Sequence, residues 1–409
     1  MNKNLKVLVS AYACEPNKGS EPGVGWNWAK QIARFHEVWV ITRENNREPI
    51  EKEIQKAPDS NMHFIYTDLP KWARFWKSGE KGVRLYYYLW QFAALKTAFL
   101  AHKKLSFDIC HHITFVNNWQ PALISLLPIP FIWGPIGSNP PVPNAFLTTT
   151  KLIIRDKLRL LVQNLFRYFD IFFYLTLFRA KKIILINGSI LNRYPFSLIS
   201  KNKFLIEQAI GIDIIAHSIK TNINNLIRII SVGQLIFLKG FHLAIEAFSR
   251  VQLKNPNMEL VIVGNGPEEA KLKALATKEG VAHKVRFFGR ISREDVLNEL
   301  AKSDIFLFPS FEGGGMVVLE AMACGLPVVC LDFGGPGEMV TDKCGIKVIP
   351  ITPEQTINDL SYALIKLADN PELRKKMGEA GKKRVLEHYT WEKKGEFIKE
   401  VYEKVLGGR

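Results

Sequence analysis

Short apolar runs alternate with longer stretches of helical periodicity along most of this chain. That alternation predicts parallel sheets with helices packed on them. In the first half, LKVLVSAY (5–12) reads as a buried strand and GVGWNWAKQIARF (23–35) as the helix after it. HEVWVIT (36–42) and MHFIYT (62–67) are the next strands, and helical material at 81–104 leads into FDICHHIT (107–114), a strand ending in polar residues. PFIWGPIG (130–137) and KKIILING (181–188) complete that half. The second half is more regular: IRIISVG (227–233), MELVIVG (258–264), VRFFG (285–289), DIFLFP (304–309), PVVCL (327–331) and GIKVI (345–349) are six strands, most of them separated by helical stretches, and amphipathic helices fill 353–406. The alternation breaks at IDIIAHSIKTNINN (212–225). The expected fold class is therefore α/β, with doubly wound, Rossmann-like domains over 1–215 and 216–385 and a last helical segment, 386–409, packing back toward the N-terminal domain. Two such domains facing each other leave a cleft at the carboxyl ends of their strands, the default place for a ligand.

The densest chemistry lies in PSFEGGGMVVLEAMACGLPVVCLDFGGPGE (309–338). Glu312 and three glycines, Gly313, Gly314 and Gly315, follow a buried strand directly, and MVVLEAMAC then reads as a helix ending at Gly325. Glycines let backbone N–H groups approach an anion, and a helix amino end adds about half a positive charge. Glu312 stands at the mouth of this helix and Glu320 one to two turns inside it, within an otherwise apolar run. Carboxylates accept hydrogen bonds from neutral hydroxyls and do not bind phosphate. Two glutamates beside an anion cradle thus suit a ligand carrying both phosphates and sugar hydroxyls, such as a nucleotide sugar. Taken singly, each is as well explained as a helix-start acid or a solvated helix residue.

Charge adds a second theme. The chain has 409 residues and a net charge of +16. Residues 1–200 hold 26 basic and 13 acidic groups, a net +13, whereas 201–409 hold 29 and 26, a net +3. A basic first half attracts an anionic partner: a membrane, a nucleic acid or a phosphorylated substrate. KLIIRDKLRLLVQNLFRYFDIFFYLTLFRAKK (151–182), with eight basic and two acidic residues, and the aromatic YYYLWQFAALKTAFLAHKK (86–104) suit an anionic lipid interface, or else are core helices. No recognised nucleic-acid motif accompanies the charge, which argues against nucleic acid as the partner. Five cysteines without a C-x-x-C pair indicate neither a disulfide framework nor a zinc site. No apolar run is long enough to span a bilayer, and the start lacks the apolar core of a signal peptide, so cytoplasmic residence is expected.

Glu312-x7-Glu320, preceded by Pro309-Ser310 and followed by AMACGLPVV, resembles the signature of the retaining glycosyltransferases of family 4, which have the two-domain GT-B fold. SVGQLIFLKGF (231–241), LVIVGNGPE (260–268), VRFFGRIS (285–292) and DFGGPGEMV (332–340) extend the resemblance. ACEPNKGSEPGVGWNWA (13–29) and FVNNWQPALISLLPIPFIWGPIG (115–137) are similar to a subgroup of bacterial polysaccharide assembly. The resemblance implies transfer of a sugar from a nucleotide-diphosphate donor, UDP- or GDP-sugar above all, to a hydroxyl of a glycan or lipid-linked acceptor. No other cofactor is implied.

By the same resemblance Glu312 contacts the transferred sugar, Glu320 the ribose, and the backbone of Gly313, Gly314, Gly315, Met316 and Val317 lines sugar and diphosphate. Lys239 matches the phosphate-binding lysine. Gln234 stands where the family usually has an arginine, so one charge is missing. Gly264 and the Arg290-Ile291 segment fall in the donor-binding stretches, and Gly23 matches the glycine that approaches the donor from the first domain. Glu15 and Glu21 are candidates for acceptor hydroxyls. His111 and His112 are candidates for the family's histidine, one of them expected to face the cleft; counted from Asp108, His111 fits the first histidine position of D-x-x-H-x-H and Ile113 the second. No D-x-D occurs, so no metal is expected to hold the diphosphate. The alternatives are a nucleotide-sugar epimerase of the same fold, a non-catalytic member, and a basic nucleic-acid binder.

Overall fold

The computed structural model describes residues 4–77, 79, 82–191, 195–213 and 226–407. The chain forms two compact units. One comprises residues 1–138, 158–211 and 391–409, the other 139–157 and 212–390. The sequence boundary at 212–225 falls mostly on residues outside the described ones.

In the first unit seven parallel strands form one sheet: β1 (Lys6–Ala11), β2 (Glu37–Thr42), β3 (Met62–Tyr66), β4 (Ile109–Thr114), β5 (Phe131–Ile136), β6 (Ala180–Leu185) and β7 (Phe204–Ile206), in the order β3-β2-β1-β4-β5-β6-β7. Its helices are α1 (Ser20–Ala33), α2 (Arg47–Lys56), α3 (Val83–Leu105), the later part of α4 (Thr150–Phe169), and α5 (Ile171–Arg179). Successive strand residues point to opposite faces. Accordingly Val7 and Val9 of β1 join the core formed with Ile32 of α1, while Leu8 joins the core holding Trp90 of α3 and Phe173 of α5. Both faces are covered, as a parallel sheet requires.

In the second unit the six expected strands all form: β8 (Ile227–Val232), β9 (Met258–Val263), β10 (Val285–Gly289), β11 (Ile305–Phe308), β12 (Val328–Leu331) and β13 (Gly345–Val348), ordered β10-β9-β8-β11-β12-β13. Around them lie α6 (Phe241–Gln252), α7 (Glu269–Lys278), α8 (Arg293–Ala301), α9 (Met316–Ala323), α10 (Gly334–Met339), α11 (Pro353–Ala368) and α12 (Pro371–His388). The helix α13 (Trp391–Gly407) belongs to the first unit. There Lys394, wholly buried, pairs with Glu207, and Tyr402 meets His111.

Two details depart from the sequence reading. The three-residue strand β7 at the sheet edge was not foreseen. Residues 139–157, counted with the N-terminal domain, cluster with the second unit, because Val142, Phe146 and Leu147 enter its core and Phe146 stacks edge-on to Phe311 at 4.9 Å.

Each sheet reverses its winding direction once, between β1 and β4 in the first unit and between β8 and β11 in the second. The loops leaving the carboxyl ends of two strands that wind apart leave room for a ligand. Of the residues singled out from the sequence, the loop after β1 carries Glu15, the loop after β8 Gln234 and Lys239, and the loop after β11 Glu312 to Gly315.

Candidate active site

In the second unit the loop after β8 holds Gly233, Gln234 and Lys239, and the loop after β11 holds Glu312 to Gly315. They meet. Lys239 Nζ donates to Glu312 Oε2 at 2.5 Å, with side-chain exposures of 15% and 21%. The ammonium also lies 5.0 Å from the Phe308 ring. Lys239 closes a short turn, and Gly240 after it takes a left-handed φ of +67° before α6 begins. A Cβ there would stand 1.9 Å from the carbonyl oxygen of Pro309, so only glycine lets the two loops touch.

The glycine loop itself is braced by backbone. Gly315 caps α9, its carbonyl accepting from Val318 N–H at 3.0 Å, and the N–H groups ahead of Val318 have no acceptor within the helix. A Cβ on Gly334 would fall 2.1 Å from the Glu312 carbonyl oxygen, and one on Gly335 2.5 Å from that of Gly313. The DFGG segment thus lies directly against the Glu312-Gly313 backbone. Gly313 N–H donates to Asn139 Oδ1 at 2.8 Å. Beside Gly314 a Cβ would meet nothing within 4 Å, so space for a ligand is open there. Met316 and Val317 form the first turn of α9, half-buried.

Glu320 points inward from α9 and is only 5% exposed. Arg293 of α8 pairs with its Oε1 at 3.2 Å. Burial pushes the Glu320 carboxyl up, and Arg293 opposes that shift. Gln234 and Arg290 are exposed, while Ile291 packs on the α9 core. Gly264, at φ +135°, lies against the Gly233 carbonyl: a Cβ would come within 1.9 Å of it. Among the described residues no group of three His, Cys, Asp or Glu side chains is arranged to hold a metal.

In the first unit α1 begins at Ser20, three residues before the expected start, so Gly23 and Gly25 sit inside the helix rather than opening it. A Cβ at Gly23 would lie 2.0 Å from the Lys18 carbonyl oxygen. Glu21, in the first turn, accepts from Val116 N–H with both oxygens at 3.0–3.1 Å, and burial pushes its carboxyl up to about 7. Glu15 is half-buried beside Lys18, at 3.5 Å.

His111 and His112 point to opposite faces of β4, and both are completely buried. His111 Nε2 lies 2.6 Å from the Gly134 carbonyl, which only accepts, so this nitrogen carries the proton. Neutral imidazole then leaves Nδ1 to accept from Tyr402 O–H at 2.8 Å. His112 meets Tyr87 Oη at 2.8 Å and Ser10 Oγ at 3.2 Å. Burial lowers them to about 4 and about 3 respectively. Within this unit all four ring nitrogens are engaged.

Sequence reasoning passed over Asn139, Arg293, Gly334 and Gly335. The last two lay within a quoted segment, DFGGPGEMV, whose paired glycines could have marked a close backbone approach.

Residues 214–384 match the sequence model of the family described as Glycosyl transferases group 1. The matched span lies within the second unit. A GDP-mannose-dependent monoacylated alpha-(1-6)-phosphatidylinositol monomannoside mannosyltransferase of Corynebacterium glutamicum is 37% identical over 177 residues, 41% of this chain and 45% of that protein. A glycogen synthase of Mycobacterium tuberculosis is 31% identical over 173 residues, 42% of this chain and 41% of the relative. These matches span less than half the length of the curated relatives. Among solved structures, a sucrose-phosphate synthase from Thermosynechococcus elongatus aligns over all of both chains with a TM-score of 0.69 at 17% identity. Anabaena HepE, solved with UDP and glucose, aligns over 98% of this chain and all of its own, with a TM-score of 0.63 at 16% identity. At such identities the likeness shows the fold alone. That fold, two Rossmann-like domains of the GT-B class, is the one expected.

Proposed function

We propose that this protein is a retaining glycosyltransferase that moves a sugar from a UDP- or GDP-sugar to a hydroxyl of a glycan or lipid-linked acceptor in cell-surface polysaccharide synthesis. The observation that carries the reading is the Lys239–Glu312 pair at the mouth of the glycine loop before α9. It sets a cation, an acid able to bind sugar hydroxyls and the amino end of a helix side by side, the set that a diphosphate joined to a sugar needs. In the reaction the anomeric carbon–phosphate oxygen bond breaks and a bond to the acceptor oxygen forms. The acceptor's proton passes to the departing phosphate. Lys239, Gln234 and the amino end of α9 offset the charge growing on that phosphate. Glu312 grips the sugar hydroxyls and Glu320 the ribose, with Gly264 and the Arg290-Ile291 segment along the nucleotide. In the first unit Glu15 and Glu21 are the candidates for acceptor hydroxyls.

The diphosphate is held without a metal in this reading, which rests on the missing D-x-D. Turnover lost in excess chelator and restored by manganese or magnesium would overturn it. Thermal-shift screening against UDP-, GDP- and ADP-sugars, followed by determination of the product's anomeric configuration, tests the main claim. Stabilisation by none of these donors would sink it, and interconversion of donor sugars without an acceptor would instead mark an epimerase.

Attachment to the inner face of the cytoplasmic membrane belongs to the same proposal. Among the described residues no helix is long and apolar enough to cross a bilayer. In the first unit, however, α3, α4 and α5 expose Leu100, Leu158, Leu161, Phe169, Ile171 and Phe178, with Phe169 80% exposed, on a strongly basic stretch of chain. Exposed apolar side chains on basic helices suit anionic lipid. Tyr86, Tyr87 and Trp90, part of the expected aromatic interface, are buried and belong to the core instead. Absence of binding to anionic vesicles at low salt would refute the attachment.

A further inference from the structure

Helix α8 starts on Ser292-Arg293-Glu294-Asp295, a segment that none of the roles above uses. Ser292 caps the helix: its Oγ accepts from Asp295 N–H at 3.1 Å and donates to the Asp295 carboxylate at 2.6 Å. The cap fixes the first turn, and Arg293 is the first residue of that turn.

The Arg293 guanidinium meets Glu320 of α9 one-sidedly. Nε and Nη2 both approach Oε1, each at 3.2 Å. A guanidinium commonly meets a carboxylate fork to fork, one nitrogen on each oxygen. Here Oε2 is passed over. It has no hydrogen bond among the described residues, and it is not sealed from solvent.

The surroundings give the cation a task. Val318, Leu319, Ala321 and Met322 of α9 are buried, and Glu320 is itself almost wholly covered. Burial favours the neutral carboxyl, and Arg293 is the charged group that opposes it. The titratable side chain beside it, Cys324 one turn on, has its thiol pushed up to about 11 by burial and stays uncharged; Lys382 of α12 acts on that thiol. A carboxylate is acceptor-only and can serve both hydroxyls of a ribose, whereas a protonated carboxyl turns one oxygen into a donor.

We infer that Arg293 is a positioning residue for the donor: by taking Oε1 alone it holds Glu320 with Oε2 presented to the ribose hydroxyls of the bound nucleotide. The inference deepens the glycosyltransferase reading and rests on its placing of the ribose at Glu320. An ion pair that served stability alone would gain more by engaging both oxygens.

Calorimetric titration of UDP and of GDP onto the full chain, each beside its dideoxy form lacking both ribose hydroxyls, tests this. The wild type should bind one of the two nucleotides about 10-fold or more tighter than its dideoxy form, the scale of a hydrogen bond to a charged group. In Arg293→Gln that preference should collapse, through weaker binding of the nucleotide and unchanged binding of the dideoxy form, and Arg293→Lys should restore part of it. Glu320→Gln should lose the same preference, and adding Arg293→Gln to it should change nothing further, because the arginine acts through Glu320. The Arg293 side chain is half exposed and Glu320→Gln keeps the shape of the side chain, so the variants should fold, which thermal melts check. A preference kept in Arg293→Gln overturns the inference and leaves an ordinary ion pair. A loss of equal size with and without Glu320→Gln also overturns it, by making Arg293 a direct contact. Wild-type protein that binds neither nucleotide fails the donor reading itself, and wild-type protein that binds both forms alike fails only the ribose role of Glu320; either result is seen before any variant is made and ends the inference too.

Discussion

Replacing Lys239 with Met and Glu312 with Gln, singly and together, separates a catalytic pair from a structural one. At 2.5 Å and an effective dielectric of about 20, the gross attraction is roughly 6–7 kcal/mol. Desolvation of two largely covered groups and solvent screening cancel most of it, leaving about 2 kcal/mol net. Each single variant should therefore melt a few degrees lower, since the remaining partner is left partly buried and unpaired. The double variant, which strands neither charge, should recover much of that loss. Activity should behave differently. If Lys239 meets the leaving diphosphate and Glu312 the sugar, each single change should lower turnover about 10²–10³-fold, the scale for one preorganised electrostatic contact, and the double variant should regain none of it. The assay is nucleotide release from whichever donor gives the largest thermal shift, run beside thermal melts of the same samples. Turnover within about 3-fold of wild type in both single variants, or turnover that returns with stability in the double variant, would refute the assignment.

Further tests follow from single features. Glu21 titrates near 7 when folded against an ordinary 4.5, so its neutral form contributes stability that is complete below about pH 4.5 and lost as pH rises through about 7. Glu21→Gln should flatten that slope, and melts that fall equally with pH in both proteins would contradict it. His111 and His112 are lowered to about 4 and about 3, so they stabilise the fold above about 6.5 and that contribution is lost as pH falls toward 4. Their imidazole NMR shifts should stay flat from about pH 5 to pH 8, and a midpoint near 6.5 for either would exclude its buried, neutral placement. Gly334→Ala forces a Cβ into the Glu312 carbonyl at φ +57°; it should cost about 2 kcal/mol or more and weaken UDP binding about 10-fold. Wild-type melting and affinity would show that the DFGG segment does not brace the glycine loop.

How far these features could be read from the sequence depended on their range along the chain. Strands with continuous Val and Ile runs, such as MELVIV and IRIISV, were legible because burial on both faces leaves no polar alternation to interpret. β7, three residues at an edge, lacks a run long enough to stand out. Glu312, the glycines and Glu320 lie within nine residues, so their grouping was local. The partners they meet were not legible: Asn139 reaches Gly313 across 174 residues, and Arg293 reaches Glu320 across 27. The histidines show the opposite failure. They do lie in a strand, but in the middle of β4 and not at its carboxyl end, and whether a ring nitrogen is free depends on Tyr402, 291 residues from His111.

The two sheets explain why both clusters exist. β1-β4 and β8-β11 are each the pair of strands at which the chain turns from winding one way to winding the other. Loops after such strands diverge, and a diverging pair of loops cannot satisfy its own polar groups as a hairpin can. In the second unit the loops after β8 and β11 touch only because Gly240 carries no side chain, and Lys239 pairs with Glu312 across them. In the first unit the corresponding loops bring Tyr12 and Phe115 into ring contact, with Arg43 and Arg84 over the rings. A repeated topology thus carries different chemistry, a closed acid–base pair in one unit and guanidinium groups on aromatic faces in the other. If Lys239 meets the diphosphate, Lys239→Met should flatten the salt dependence of UDP binding, and an unchanged salt dependence would count against that contact.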